Sequence, residues 1–175
     1  MPDYRRRRVP GGCYFFTLNL LDRRSSLLTD HIDALRDAIA HVRAAHPFHI
    51  DAMSVMPDHL HAVITLPVGD ADFSTRWSLV KARFSRSIPA GESISRSRDR
   101  KRERGIWQRR FWEHAIADDD DYIHHIDYTH YNPVKHGHVT RPIDWPYSTF
   151  HQYVAQGILD PHWATNELPK DFDWG

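Results

Sequence analysis

His59 and His61 sit one residue apart at the head of the apolar run in "MPDHLHAVITLP" (56–67). If that run is a strand, its side chains alternate between two faces. His59, His61, Val63 and Thr65 then share one face, and Leu60, Ala62, Ile64 and Leu66 the other. The wholly apolar face must meet the core, so the imidazoles project from the opposite side. They are about 7 Å apart along the backbone, and their rings can converge on one cation. The plainer alternative is a strand with an ordinary polar face. A histidine-triad hydrolase would need a third histidine at position 63, which is Val63. Further along, "YIHHIDYTHYNP" (122–133) sets Tyr128 and Asn132 four residues apart. On a helix they lie within about 40° of one another, with Asp121, His124 and His125 nearby on the same side. A phenol, an amide oxygen and imidazoles around one point would suit metal-assisted nucleophilic attack. Taken alone, Tyr128 also reads as a half-buried amphipathic tyrosine. Tyr122 and Tyr131 compete with it, but only Tyr128 has the amide four residues on.

These groups need elements to position them. "CYFFTLNL" (13–20), "FHIDAMSVM" (48–56), residues 59–66 and residues 110–117 read as strands. "TDHIDALRDAIAHVRAAHP" repeats Ile32, Leu35, Ile39 and Val42 at helical spacing, with Thr29 or Asp30 as cap and Pro47 as stop. "DFSTRWSLVKARFSRSI" puts Phe73, Trp77, Val80 and Phe84 on one helix face. "DDDDYIHHIDYTHYNP" opens with four Asp where the helix dipole favours negative charge, and Pro133 is expected to leave Asn132 near its end. The order β-α-β-β-α-β predicts an α+β fold: a ferredoxin-like antiparallel sheet with two helices on one face. An additional C-terminal helix carries the tyrosine to the other face. A single domain over 1–175 is expected, with a basic mobile loop at 91–105 and a C-terminal extension at 140–175.

The 175 residues and 41% hydrophobic content suit one globular domain. No apolar run approaches the ~18 residues of a membrane span. The basic N-terminus has only a short apolar stretch and no cleavage site, so no signal peptide is expected. The single Cys13 reads as strand packing in a reducing cytoplasm. The net charge of zero hides a segregation: residues 76–110 hold 12 of the 23 Lys and Arg but only Glu92, Asp99 and Glu103 as acids. Such a zone attracts polyanions. Tyr4, Arg5, Arg6, Arg7 and Arg8, with Lys81, Arg83, Arg86, Arg109 and Arg110, are the candidate nucleic-acid contacts. Trp107, Phe111 and Trp112, interleaved with Arg109 and Arg110, suit base stacking; either Phe111 or Trp112 is expected in the core instead. The acidic residues Asp160, Glu167, Asp171 and Asp173 are a candidate tail over the basic groove.

A His-hydrophobic-His pair on a central strand, followed by a helix with a tyrosine and an amide four residues on, resembles the HUH single-tyrosine transposases. More closely, "YRRRRVPGGCYFFTLNLLDRR", "MPDHLHAVITLP", "FSTRWSLVKARFSR", "IWQRRFWEHAI", "HHIDYTHYNPVKHGHV" and "DWPYSTFHQYV" are similar to the REP-associated tyrosine transposases of bacteria. The likeness runs from Tyr4 to Trp163; the basic insertion at 91–105 is longer than usual for the family. The resemblance implies that Tyr128 is the nucleophile and that His59, His61 and Asn132 bind a divalent metal, Mg²⁺ or Mn²⁺. It implies cleavage of single-stranded or hairpin DNA at REP-type repeats through a 5′-phosphotyrosine, with His125 or Lys135 as possible activators. A cytoplasmic, nucleoid-associated protein is expected, monomeric rather than dimeric. No Gly-x-x-x-x-Gly-Lys loop is present, consistent with chemistry that needs no nucleotide fuel. The rivals are a DNA-binding protein that keeps the fold without the catalysis, and a metal-dependent phosphohydrolase of small molecules.

Overall fold

A computed structural model describes residues 5–164. Among these the chain forms strands β1 (Cys13–Asn19), β2 (His49–Val55), β3 (His59–Thr65) and β4 (Trp112–Ala115). The helices are α1 (Leu27–Asp30), α2 (Ile32–Ala45), α3 (Phe73–Ser87), α4 (Arg96–Arg100), α5 (Asp119–Lys135) and α6 (Phe150–Ala155). The strands pair antiparallel in the order β2-β3-β1-β4, the ferredoxin-like arrangement the sequence predicts. The turn at Pro57–Asp58 closes the β2–β3 hairpin through a Met56 N–H to His59 carbonyl bond of 2.8 Å.

Alternation along the strands splits the interior in two. Tyr14, Phe16 and Leu18 of β1 and Leu60, Ala62 and Ile64 of β3 meet Leu35, Ile39 and Val42 of α2 and Trp77, Val80 and Phe84 of α3. On the other face Phe15, Ala52 and Val63 lie under Ile126 of α5, a much smaller apolar contact that leaves room for polar side chains. The helix expected over 29–46 breaks at His31 into α1 and α2. The stretch 91–105, expected as a mobile loop, carries α4, capped by Ser95 accepting from Arg98 N–H. Arg104 fastens it, donating to the carbonyls of Ser85, Ile88 and Pro89 and pairing with Glu92 at 2.5 Å.

α5 starts at Asp118, whose carboxylate accepts from Asp121 N–H (2.9 Å). It continues through Pro133, two residues past the expected end. A proline in the last turn removes only one backbone donor. Gly137 then takes φ +75° and ends the helix, with His138 N–H reaching back to the Pro133 carbonyl at 3.0 Å. The C-terminal segment covers the outer edge of β2. Ser148 bridges Ser54, and the Tyr147 carbonyl and Thr149 N–H bond Val55 and Met53. Covering an edge this way removes unpaired backbone groups. β4 forms the opposite edge. Tyr4 and the acidic residues Glu167, Asp171 and Asp173 lie outside the described residues.

Candidate active site

β3 places His59 and His61 on the α5 side of the sheet, both buried, with ring centroids 5.0 Å apart. Each imidazole is held by its Nδ1. That of His59 meets the Asp58 carboxylate at 2.7 Å, and the other Asp58 oxygen takes Arg23 at 2.6 Å. A ring nitrogen against a carboxylate carries the proton, which leaves the His59 Nε2 lone pair for a ligand. The His61 Nδ1 meets Thr17 Oγ1 at 2.9 Å, across the β1–β3 pair. Burial pushes the proton affinity of His59 below its ordinary value, against the pull of Asp58. It pushes that of His61 well below, helped by His59 and His136. Both rings are therefore neutral at neutral pH, the form that ligates metals.

The His61 Nε2 and the Asn132 Oδ1 are both buried and make no hydrogen bond. The Asn132 amide lies near enough to act on His61, while its Nδ2 donates to the Tyr128 carbonyl at 3.3 Å. Each orphaned polar atom costs about 1–3 kcal/mol. With the His61 proton on Nδ1, bonded to Thr17 Oγ1, its Nε2 and the nearby Asn132 Oδ1 are both acceptors, and a cation between them satisfies both. The donor set therefore fits a divalent ion. His136, at the end of α5, joins the group, its ligand nitrogen within 4.8 Å of those of His59 and His61. Its position four residues beyond Asn132 continues the Tyr128–Asn132 face, a signal present in the sequence. Asp58, Thr17 and Arg23 were also missed; Asp58 read only as part of a turn.

Tyr128 lies over the same face, its ring 5.2 Å from that of His61 and 5.6 Å from Phe15. Lys135, two turns on, brings its Nζ to 3.4 Å from the Tyr128 hydroxyl. His125 is engaged elsewhere: its Nδ1 meets Asp121 at 3.0 Å, and its ring stacks on His114 at 4.6 Å. His114, Asp121 and His125 form a second group of possible ligands, but its bonds are already made. His114 Nε2 and Ala117 N–H both bond Asp121 Oδ2, at 2.8 and 2.7 Å, which anchors the first turn of α5 to β4. Tyr122 donates to Asp51 at 2.9 Å, and burial beside that carboxylate drives its pKa far above the ordinary phenol value, which removes it as a nucleophile.

The candidate DNA contacts divide into two groups. Arg5, Arg7, Arg86 and Arg110 are exposed. Arg6 lies over the Phe111 ring at 4.2 Å, 3.8 Å from the buried Glu113, and Arg8 bonds Ser74. Arg83 pairs with Asp37 and Arg109 with Glu103. Lys81 donates to the Gln108 carbonyl at 2.8 Å, and its pKa is pushed down to about 8 by burial and Arg98. It lines a cleft of about 640 Å³ with Arg86, Arg98, Arg102, Arg104 and Arg109. Trp107 belongs to the main core, which corrects its reading as a stacking residue; its backbone pairs with Leu20 and turns the indole inward. Phe111 packs against that core, and Trp112 is exposed.

Residues 12–129 match the family model described as "Transposase IS200 like". A REP-associated tyrosine transposase of Escherichia coli K12 is 47% identical over 164 residues, 94% of this chain and 92% of that protein. A Haemophilus influenzae protein described in the same terms is 44% identical over 95% of each chain. The solved structure of a REP-associated tyrosine transposase bound to a REP hairpin superposes with a TM-score of 0.83 at 45% identity, covering 97% of this chain and 96% of that one. By fold, by family model and by identity along nearly its whole length, this chain belongs to the REP-associated tyrosine transposases, DNA-processing enzymes of the IS200-like transposase family.

Proposed function

We propose that the protein cuts and rejoins single-stranded DNA beside hairpins of REP-type repeats, through a 5′-phosphotyrosine at Tyr128. One observation carries the reading: a single chain sets the Tyr128 ring 5.2 Å from that of His61, whose buried Nε2 stands with the ligand nitrogens of His59 and His136 and beside the Asn132 amide. The REP hairpin bound by the solved relative supplies the substrate class. His59, His61 and Asn132, with His136 beside them, would hold Mg²⁺ or Mn²⁺, which when bound draws charge from a non-bridging phosphate oxygen. The donors carry no negative charge, so they leave that ion its affinity for phosphate; Mn²⁺ tolerates imidazole better than Mg²⁺ does.

In this reading Tyr128 Oη attacks phosphorus. The bond from phosphorus to the 3′ oxygen breaks as the bond to the phenol forms, and the phenolic proton is given up so that the 3′ oxygen leaves as a hydroxyl. A phenol needs help to do this at neutral pH. The Lys135 ammonium stands where it pairs with the charge on the attacking oxygen; His125, turned to Asp121 and His114, is the weaker choice. The reverse attack by a 3′-hydroxyl frees the tyrosine and reseals a strand. The tyrosine helix lies on its own sheet, which favours a monomer acting on the bacterial nucleoid.

The test is a denaturing gel of the protein with single-stranded DNA from the repeats flanking its gene, with and without Mn²⁺. A covalent protein–DNA band is expected with metal and absent with chelator. Tyr128→Phe is expected to lose the band and keep hairpin affinity. A band from Tyr128→Phe would overturn the nucleophile assignment; hairpin binding with no band from the wild type would leave a non-catalytic binder.

A further inference from the structure

The register of the sheet sets three side chains in a row beside the candidate active site. Thr17 of β1 is opposite His61 of β3 on one side and Trp112 of β4 on the other. Directly opposed residues share a face, so Trp112 is on the same side of the sheet as the His61 imidazole. With about 4.5–5.5 Å between opposed Cα atoms, two steps put Trp112 about 10 Å from His61 along the floor. α5 crosses over β2 and β3, and beyond it on this floor Thr17 is only half-buried and Trp112 is 57% exposed. A tryptophan this exposed on an edge strand is an uncommon placement for a large aromatic side chain. The residues beside it are not apolar, as a protein-docking patch would be; exposed Arg109 and Arg110 immediately precede Phe111 and Trp112.

We propose that Trp112 is a stacking platform for a base of the single-stranded DNA, next to the nucleotide whose phosphate is cut. The inference rests on the cleavage reading above and gives it a residue that positions the strand. Aromatic faces bind bases of single strands, and flanking cations hold the backbone. A strand running from the basic cleft to Tyr128 crosses the β4 edge, where Arg110 meets its phosphates and the indole takes one base. Stacking is tolerant of sequence, so Trp112 fixes the register of the strand at the site while specificity comes from elsewhere.

The experiment measures hairpin-oligonucleotide affinity in the Tyr128→Phe background, with Trp112 intact or replaced by Tyr or Leu. A matched series of oligonucleotides carries a single abasic site at successive positions around the cleavage point. Trp112→Leu keeps apolar bulk without a π face and is expected to weaken binding about 5- to 150-fold; Trp112→Tyr is expected to stay within a few-fold of the parent. In the parent, one abasic position should lose a comparable factor, and at that position Trp112→Leu should cost nothing more. Equal affinity for the Leu and Tyr variants, or an abasic profile with no position coupled to Trp112, overturns the proposal. Should either variant fold poorly, the abasic profile of the parent still decides: a flat profile near the cut rejects the platform. The covalent-adduct gel with Tyr128 intact is read separately. Abasic coupling without an adduct supports the platform and rejects cleavage; an adduct without coupling does the opposite.

Discussion

Thr17 and Asp58 each hold one histidine by Nδ1, so both imidazoles offer Nε2 to the same space. Partners of this kind fix ring orientation and tautomer, and losing one costs about 10- to 100-fold in metal affinity. Thr17→Val and Asp58→Asn are therefore expected to weaken Mn²⁺ binding by that factor, read by titration of the protein without DNA. Unchanged affinity in both would mean that the ion sits elsewhere. Lys135→Met is expected to slow adduct formation by about 100-fold or more, the scale for removing one preorganised electrostatic contact, with hairpin affinity little changed. A rate loss matched by an equal loss of binding would make Lys135 a phosphate contact instead. The histidine pair and the Tyr128–Asn132 spacing were readable because strand and helix periods are properties of a short stretch. The role of Thr17 was not, because it depends on which residue of β1 lies opposite His61; the spacing of His136 from Asn132 was legible, but its use depends on α5 running on past Pro133.

α5, which carries the proposed nucleophile Tyr128, is held at several points along its length. Asp121 ties its start to β4, Tyr122 bonds Asp51 of β2, and His130 meets Thr149 before α6 at 2.8 Å. His130 is fully buried, and burial pushes its pKa down to about 3 from an ordinary 6.5. The unfolded chain therefore takes up this proton before the folded one does. Its contribution to stability is complete above about pH 6.5 and is lost as pH falls toward 3, by up to about 1.4 kcal/mol per pH unit. His130→Gln keeps an amide donor for Thr149 and cannot titrate. Its unfolding free energy, from urea melts at pH 7 and pH 5, is expected to fall about 2 kcal/mol less than that of the wild type between those values. Parallel losses would show that His130 is not the group being protonated. Periodicity located β1, β3 and the two core helices, because each carries an apolar stripe that the main core buries. It did not foresee the strand-like cover of β2 by 147–149, where backbone pairing leaves no apolar pattern to read.

At the scale of the molecule, a chain of zero net charge draws Lys81, Arg86, Arg98, Arg102, Arg104 and Arg109 around one cleft. The basic zone was evident from composition, but composition cannot say which cations face water. Arg76 is buried, bonded to Asp70 and to the carbonyls of Asp72, His46 and Pro47, and serves the fold. Arg6 likewise spans Phe111, Ser74 and Glu113. Arg7 and Arg110 are exposed at the surface. Each phosphate neutralised by such a side chain releases counterions, giving a log–log salt slope of about 0.7 per contact on single strands and 0.9 on duplex. The double variant Arg7→Gln, Arg110→Gln is therefore expected to flatten the salt dependence of hairpin binding by about 1.4–1.8 in slope, with the melting temperature unchanged. Arg6→Gln is expected to do the reverse, lowering the melting temperature because it strips a cation from beside a buried carboxylate, while the slope stays near that of the wild type. Binding measured across a salt series, paired with thermal melts of the free protein, separates the two classes of arginine. If Arg6→Gln flattens the slope and the double variant does not, the DNA path runs along the N-terminal segment over α3 and not across the β4 edge.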